Sequence, residues 1–279
     1  FLPGFWSEYG MCTEPSAFGA RCRWSENEFP FADRILLDPE QAGKIPKPDP
    51  RTDGLLPFVL KWLQHSRPEI ERAGHAIRFA VARGPLNIAS FLCGATEFLV
   101  GIKSHPEEMQ TLLGTITDFL IDWVEVQAAA FPSTDGLLVL DDVVGFLRES
   151  DFQTFALPYL KKIFQAFPFR VKFFHNDASG AITARYLNEI GVNLFNFSYQ
   201  YSLVQMKQWT GNTVTLMGNL PPRDVMAAGT PDQIVHMAGE ALSPLTDRSR
   251  ILLSCGGGMP PGVPSENVRA LLSAAKNSR

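Results

Sequence analysis

Runs of β-branched and aromatic residues alternate along the chain with longer segments whose apolar residues recur at helical spacing. The apolar runs predict seven strands, near Leu2–Ser7, Ala76–Ala82, Gly136–Leu140, Arg170–Phe174, Leu194–Phe197, Thr213–Met217 and Ile251–Ser254. The intervening segments predict helices over Pro106–Gln127, Asp151–Phe167, Ala178–Gly191 and Ser265–Ala275. This alternation is typical of repeated βα units that form a parallel sheet.

The number of predicted strands bears on how the sheet closes. A parallel βα barrel normally closes with eight strands, and this chain supplies seven. Because the chain starts inside an apolar run, we expect it to lack the first βα unit of such a barrel. The segment Arg23–Pro57, rich in Pro, Asp and Glu, is expected to be a long surface excursion. The predicted fold class is therefore α/β, a (β/α)8 barrel without its first unit.

Composition narrows the class of protein. The 279 residues are 45% hydrophobic and 19% charged, which is typical of a globular protein. A net charge of -4, without a basic stripe, predicts no nucleic-acid partner. No apolar stretch reaches the roughly 18 to 20 residues of a membrane span, so no membrane partner is expected. Four scattered cysteines suit a reducing compartment and favour a cytoplasmic protein.

Polar residues or glycines follow nearly every predicted strand. They are Ser7-Glu8, Arg83-Gly84-Pro85, Asp141-Asp142, His175-Asn176-Asp177, Ser198-Tyr199, Gly218-Asn219 and Cys255-Gly256-Gly257-Gly258. In a closed barrel these positions converge on one mouth, where barrel enzymes carry their active sites. A single member such as Asn219 is equally well explained as an ordinary loop or helix-cap residue.

Three of these residues carry ligand types that Zn²⁺ accepts in a site with one open position. They are the imidazole of His175, the carboxylate of Asp177 and the thiol of Cys255. Each has a structural alternative: a satisfied buried histidine, the N-cap of the next helix, and a small buried apolar residue, respectively. Taken together at strand ends, they predict a metal site.

Several segments resemble the uroporphyrinogen decarboxylase superfamily. They are Gly84–Gly94, Leu157–Ile163, Met217–Pro222 with Gly229–Pro231, and Pro260–Val268. The resemblance extends from about Glu14 to about Ala275. It implies one TIM-type barrel domain over residues 1–279, truncated at its amino end, with the active site at the carboxyl ends of the strands. Members of this superfamily are commonly dimers, so a homodimer is one expectation.

The decarboxylase branch of that superfamily implies residues that this chain lacks. That branch has an arginine-rich segment after the first strand, then an aspartate, a tyrosine, and a histidine in a final Gly-His-Gly turn. Here Glu8 stands near the aspartate, Phe91 near the tyrosine and Gly257 in place of the histidine, and the arginine segment is absent or lies upstream of Phe1. The resemblance therefore argues against porphyrinogen decarboxylation.

The other branch implies zinc-dependent methyltransferases that move methyl groups between a corrinoid protein and a thiol such as coenzyme M, or from a methylated substrate to the corrinoid. Their metal motif resembles H-x-C followed by a distal cysteine. His175 and Cys255 match it, whereas Asp177 replaces the middle cysteine with a harder ligand. We expect a methyltransferase in which Zn²⁺ activates a thiol or oxygen of a small-molecule methyl donor or acceptor, with a corrinoid protein as its transient partner.

The remaining strand-end residues complete this prediction. Glu8 and Asp142 are expected to be catalytic, and Tyr199, Asn219 and Phe91 to bind substrate. Three alternatives stay open. One is a cofactor-free lyase or decarboxylase that uses Glu8 or Asp142 as its acid, and another is a catalytically silent member of the family that only binds its ligand. The third is a genuine porphyrinogen decarboxylase, which would need an arginine segment upstream of Phe1.

Overall fold

The computed structural model describes residues 10–26 and 30–277. The predicted strand Leu2–Ser7 and the predicted catalytic residue Glu8 lie outside these residues. Helices α1–α11 are Thr13–Ala17, Leu56–Arg72, Pro85–Cys93, Ala95–Ser104, Pro106–Ala130, Glu149–Phe155, Leu157–Gln165, Ala181–Ile190, Leu203–Trp209, Pro231–Leu242 and Ser265–Asn277. Strands β1–β8 are Cys22–Arg23, Phe31–Ala32, Phe79–Arg83, Gly136–Leu140, Val171–Asn176, Leu194–Phe197, Thr215–Leu220 and Ile251–Cys255.

The chain divides into two compact units. The first comprises Phe1–Val143 with Gln153–Val171, and the second comprises Val144–Phe152 with Lys172–Arg279. Each unit has its own buried apolar residues, and each contains parallel strands with helices packed against them. The expectation of a single domain over the whole chain stays a prediction.

The first unit contains a parallel strand pair backed by a long helix. β3 pairs with β4 in register from Phe79 with Gly136 to Arg83 with Leu140. Helix α5 packs against β3 through an apolar face. Its Gln127 side chain accepts a hydrogen bond from the Val81 N–H and donates one to the Val81 carbonyl, both at 3.0 Å. The Gln127 side chain therefore provides hydrogen-bond partners for the buried N–H and carbonyl groups of Val81, which would be costly to leave unpaired.

The second unit contains four parallel strands, β5 to β8, that neighbour one another in chain order. Side chains alternate between the two faces of such strands. Phe174 and Phe195 lie on one face and stack with ring centroids 6.1 Å apart. His175 and Asn196 are register partners on the other face.

Strands β3 to β8 lie within about three residues of their predicted bounds, whereas β1 and β2 were not predicted and several helices differ. The predicted helix Asp151–Phe167 is two helices, α6 and α7, because Pro158 in the first turn of α7 cannot continue the preceding helix. The predicted helix from Ala178 starts instead at Ala181, and it ends as expected at Gly191, which is left-handed with φ 95°. The described part of the Arg23–Pro57 excursion includes β2 and the short 3-10 helix Pro39–Lys44.

Several helices were missed by the sequence analysis altogether. Among them are α9 and α10, whose first turns are closed by capping boxes, Ser202 with Gln205 and Thr230 with Gln233. These pairs are the sequence signal that marks both helix starts.

Among the described helices, none is by itself long and apolar enough to cross a membrane, although the bent pair α3 and α4 reaches that length and composition.

A hydrogen-bonded cluster of polar residues connects the loop before β8 to the end of α9. The ammonium group of Lys207 donates to Asn212 Oδ1 at 2.7 Å, to the Ser249 carbonyl at 2.8 Å and to Asp247 Oδ2 at 3.2 Å. The Asp247 carboxylate accepts from the Ser249 N–H and hydroxyl and from Asn212. These hydrogen bonds, led by the Ser249 N–H, hold the pKa of Asp247 well below its ordinary value.

We predict that Asp247→Asn lowers the free energy of unfolding at pH 7 and that this difference from wild type shrinks as the pH falls below about 4. The lowered pKa means that the carboxylate stabilises the fold above its unfolded-state pKa and loses this effect as it becomes protonated. Urea unfolding at pH 7 and pH 3 measures the difference. Glu69→Gln, at an exposed position of α2, is the control and should change stability little at either pH. A deficit of equal size at both pH values would contradict the prediction.

Candidate functional site

His175 and Asp177 lie together at the carboxyl end of β5. His175 is the penultimate residue of the strand, and Asp177 follows it. Their side chains are 14% and 43% exposed, and His175 Nε2 lies 3.8 Å from Asp177 Oδ2. A two-residue spacing along extended backbone returns side chains to the same side, which explains why the pair converges.

The intervening residue, Asn176, fixes the loop that carries Asp177. Asn176 is fully buried and lies on the opposite face of the strand. Its Oδ1 accepts from the Ala178 N–H at 3.0 Å, and its Nδ2 donates to the Ser179 carbonyl at 3.3 Å. Helix α8 then begins with Gly180 at its N-cap, so the alternative explanation of Asp177 as a helix cap is not observed.

The other nitrogen of the His175 ring contacts a buried amide. Nδ1 lies 2.7 Å from Oδ1 of Asn196, the register partner of His175 on β6. The Asn196 amide nitrogen donates to the Met217 carbonyl at 2.7 Å and to the Cys255 carbonyl at 3.0 Å. The imidazole is therefore held by a residue that is itself anchored on β7 and β8.

The glycine turn after β8 packs against both Tyr199 and Asp177. A Cβ at Gly256 would lie 2.4 Å from the Tyr199 backbone nitrogen, so only glycine fits there. A Cβ at Gly257 would lie 2.9 Å from Asp177 Oδ2, and Gly257 has φ +122°. The Asp177 carboxylate thus occupies space that a side chain at position 257 would need.

Cys255 requires a correction of the predicted ligand set. Its side chain is 3% exposed and belongs to an apolar cluster with Leu220, Met226 and Ile234. Burial raises the pKa of its thiol to about 11. Within the described residues, His175, Asp177 and Cys255 do not form a group whose ligand atoms could share an ion.

Strand alternation is the physical reason for this correction. Cys255 is in register with Leu220, and both face the helix-packed side of the sheet. Ser254, in register with Asn219, takes the opposite face. The alternative explanation, a small buried apolar residue, is the one that the structure supports for Cys255.

In the first unit, two buried residues hold the backbone that leads to Asp142. Asn87 Oδ1 accepts from the Asp142 and Val143 N–H groups, each at 3.1 Å. Asp141 is fully buried and accepts from the Leu86 and Asn87 N–H groups at 2.9 and 3.1 Å. Burial raises the pKa of Asp141 even though these hydrogen bonds oppose the shift. Asp142 itself is half-buried at the end of β4.

The described residues offer nitrogen and oxygen ligands for a metal ion. In the second unit, His175 and Asp177 are the candidate ligands. An imidazole and a carboxylate suit a divalent cation, because Zn²⁺ accepts both ligand types and carboxylates favour harder ions. The cysteine-containing set that the superfamily resemblance implies does not fit, because the Cys255 thiol faces the helices.

The predicted substrate-binding residues have different surroundings. Tyr199 and Asn219 line one cavity of about 360 Å³, together with residues of α9 and α10. Tyr199 is 45% exposed, and the Asn219 amide donates to the Tyr201 carbonyl. Neither His175 nor Asp177 is among the described residues that line this cavity. Phe91 is half-buried on α3 in the first unit.

The sequence analysis missed the asparagines that hold this site. Asn196 interrupts the apolar strand Leu194-Phe195-Asn196-Phe197, and it is only 4% exposed. A buried amide needs hydrogen-bond partners, so a polar residue inside such a strand was the available signal. Asn176 adjoins a predicted strand end and belongs to the polar cluster quoted there, whereas Asn87 lies within α3 and carries no such signal.

Comparison with known proteins relates these features to a family. The uroporphyrinogen decarboxylase (URO-D) family model matches residues 6–278. A uroporphyrinogen decarboxylase from Chloroherpeton thalassium is 30% identical over 189 residues, 63% of this chain, which thereby spans 50% of that protein. A methylated-thiol–coenzyme M methyltransferase from Methanosarcina mazei is 22% identical over 97% of this chain and 71% of that protein.

A solved structure of a methyltransferase from Methanosarcina mazei matches the fold with a TM-score of 0.84. The match has 21% sequence identity and covers 99% of this chain and 80% of that chain. It confirms the prediction of an α/β, TIM-type barrel architecture. Together with the family match, it leads to the conclusion that this chain belongs to the uroporphyrinogen decarboxylase (URO-D) family.

Proposed function

We propose that this protein is a metal-dependent methyltransferase that moves a methyl group between a small molecule and a corrinoid carried by a partner protein. The observation that carries the proposal is the His175–Asp177 pair, 3.8 Å apart at the end of β5 and oriented through Asn196. The relative named as a methylated-thiol–coenzyme M methyltransferase, which aligns over 97% of this chain, supports the methyltransferase branch of the family.

The proposed metal ligands are His175 and Asp177, and Asp142 stays a proposed catalytic residue. A divalent cation, with Zn²⁺ as our candidate, would supply Lewis acidity that lowers the pKa of a substrate thiol or hydroxyl. The Asp177 carboxylate would offset part of the charge of the ion, and the imidazole would contribute a neutral nitrogen. Because carboxylates are harder and less electron-donating than thiolates, this set favours a substrate oxygen more than a thiolate-rich set would.

The residues around this set have supporting roles in the proposal. Asn87 holds the backbone N–H of Asp142, and Asn176 holds the loop of Asp177. Tyr199 and Asn219, which share a cavity, are proposed to contact the substrate or the docked corrinoid. Phe91 stays a proposed substrate contact, and Glu8 a proposed proton carrier.

A metal-free decarboxylase is the second candidate, because relatives named uroporphyrinogen decarboxylase include one that is 30% identical. One feature of the final turn favours the first candidate. The decarboxylase resemblance implies a histidine where Gly257 stands, yet a Cβ there would lie 2.9 Å from Asp177 Oδ2, at φ +122°. A histidine at 257 would therefore be strained at this φ and would require the Asp177 carboxylate to move.

The purified protein is predicted to bind one equivalent of Zn²⁺ through His175 and Asp177. His175→Ala and Asp177→Asn should each weaken binding by more than about 100-fold, because a direct ligand contributes more than a supporting residue. Calorimetric titration and metal analysis measure this. His236→Ala is the matched control, since His236 also pairs with a carboxylate, Glu240 at 3.4 Å, on α10. Absence of binding in wild type, or equal losses in all three variants, would refute the metal site.

Activity separates the two candidate reactions. We expect metal-loaded protein to demethylate methylcobalamin in the presence of a thiol or hydroxyl acceptor, and the rate to fall when a chelator removes the metal. The absorbance change of the corrinoid reports the transfer. Metal-independent release of carbon dioxide from a carboxylated substrate, with no corrinoid demethylation, would instead establish the decarboxylase.

Cys255→Ala is predicted to retain metal binding while lowering the free energy of unfolding by about 1 kcal/mol, because it removes a buried group from an apolar cluster. In native wild type the Cys255 thiol should resist maleimide at pH 8, since burial raises its pKa to about 11. Mass spectrometry of labelled peptides reads this out. If the Cys255→Ala protein folds but no longer binds metal, the prediction is wrong and Cys255 is a metal ligand.

A further inference from the structure

We infer that Asn196 is a positioning residue that fixes the tautomer of His175, so that Nδ1 carries the proton and Nε2 carries the lone pair. The tautomer follows from hydrogen bonds within the second unit. Its consequence for metal binding rests on the proposed function above.

The orientation of the Asn196 amide follows from its partners. One end of the amide lies 2.7 Å from the Met217 carbonyl and 3.0 Å from the Cys255 carbonyl. Both partners are acceptors only, so this end must be the NH₂ group, and both of its protons are used. A flipped amide would place Oδ1 against two carbonyl oxygens, and neither contact could then be a hydrogen bond.

The amide oxygen therefore faces the imidazole. Asn196 Oδ1 lies 2.7 Å from His175 Nδ1, and this oxygen can only accept a hydrogen bond. Nδ1 must supply the proton, and in the neutral ring the lone pair then belongs to Nε2. Nε2 is the nitrogen on the Asp177 side, 3.8 Å from Oδ2.

Burial makes this constraint effective. Asn196 is 4% exposed, which keeps water from replacing its partners. Its anchors are backbone carbonyls on β7 and at the end of β8, held by the parallel register of these strands. Position 255 thereby contributes to the site through its carbonyl group, while its thiol faces the helices.

A second buried asparagine provides a matched control. Asn267 is 1% exposed, and its Nδ2 donates to the Met226 carbonyl at 3.0 Å and to the Gly229 carbonyl at 2.9 Å. It thus shares the double donation of Asn196, but its Oδ1 has no hydrogen-bond partner among the described residues. Replacement of either residue by leucine removes two donors from buried carbonyls, so the two losses of stability should be similar.

The direct test is the tautomer of His175 in metal-free protein. Long-range ¹H–¹⁵N spectra of ¹⁵N-histidine-labelled protein, recorded where the ring is neutral, distinguish a protonated Nδ1 from a protonated Nε2. His175→Gln identifies the signals by their loss. We expect wild type and Asn267→Leu to show a protonated Nδ1, and Asn196→Leu to lose this preference.

The wild-type spectrum alone is decisive if Asn196→Leu does not fold. A wild-type ring protonated mainly at Nε2 would overturn the inference. A folded Asn196→Leu protein with an unchanged tautomer would do the same, because another group would then be setting the proton position.

Metal titration tests the consequence for the proposed function. Asn196→Leu should bind Zn²⁺ about 10- to 100-fold more weakly than wild type, the usual effect of losing a partner of a ligating histidine. Asn267→Leu should bind as wild type does. An Nδ1-protonated wild type that binds no Zn²⁺ would support the positioning role and refute the proposed metal site. Unchanged affinity in Asn196→Leu would overturn the role of Asn196 in ligand binding.

Discussion

The alternation of side chains along the parallel strands of the second unit is the constraint on which its site depends. Register places His175 beside Asn196 on one face, and Leu220 beside Cys255 on the other. A polar residue on the helix-packed face would have to be satisfied there, whereas the opposite face can present an imidazole to a ligand. The face of the sheet on which a residue lies therefore determines whether its side chain packs against the helices or can contact a ligand.

Buried asparagines perform a shared task at the strand ends. Asn87 holds the backbone of Asp142, Asn176 holds the loop of Asp177, and Asn196 holds the ring of His175. An amide has two donors and a two-fold acceptor in a planar arrangement, so it can bind one strand end and the following loop at once. Because these residues are buried, each missing partner would cost a desolvation penalty, and this makes the loop geometry specific.

Strands were the most predictable part of this fold. Gly136–Leu140 and Leu194–Phe197 have the same bounds in the prediction and in the structure, because short runs of β-forming residues are ended by polar residues. For Ile251–Cys255, the sequence did not predict which side chains lie on which face of the sheet. A strand with apolar residues on both faces carries no two-residue periodicity, so the sequence could not tell which face receives the thiol. The break between α6 and α7 was predictable from Pro158, because a proline disfavours helical backbone at the residue before it.

The pairing of His175 with Asp177 was predictable, because a two-residue spacing at a strand end dictates a shared side. The contacts that orient the pair come from residues about 20 positions or more away in sequence, such as Asn196 and Gly257. They depend on register and turn geometry, which no local pattern encodes. Gly257 shows the consequence most directly, because a Cβ there would lie 2.9 Å from Asp177 Oδ2 and the backbone has φ +122°. A side chain at 257 would require this carboxylate to move, and this relation between distant residues is visible only in the folded chain.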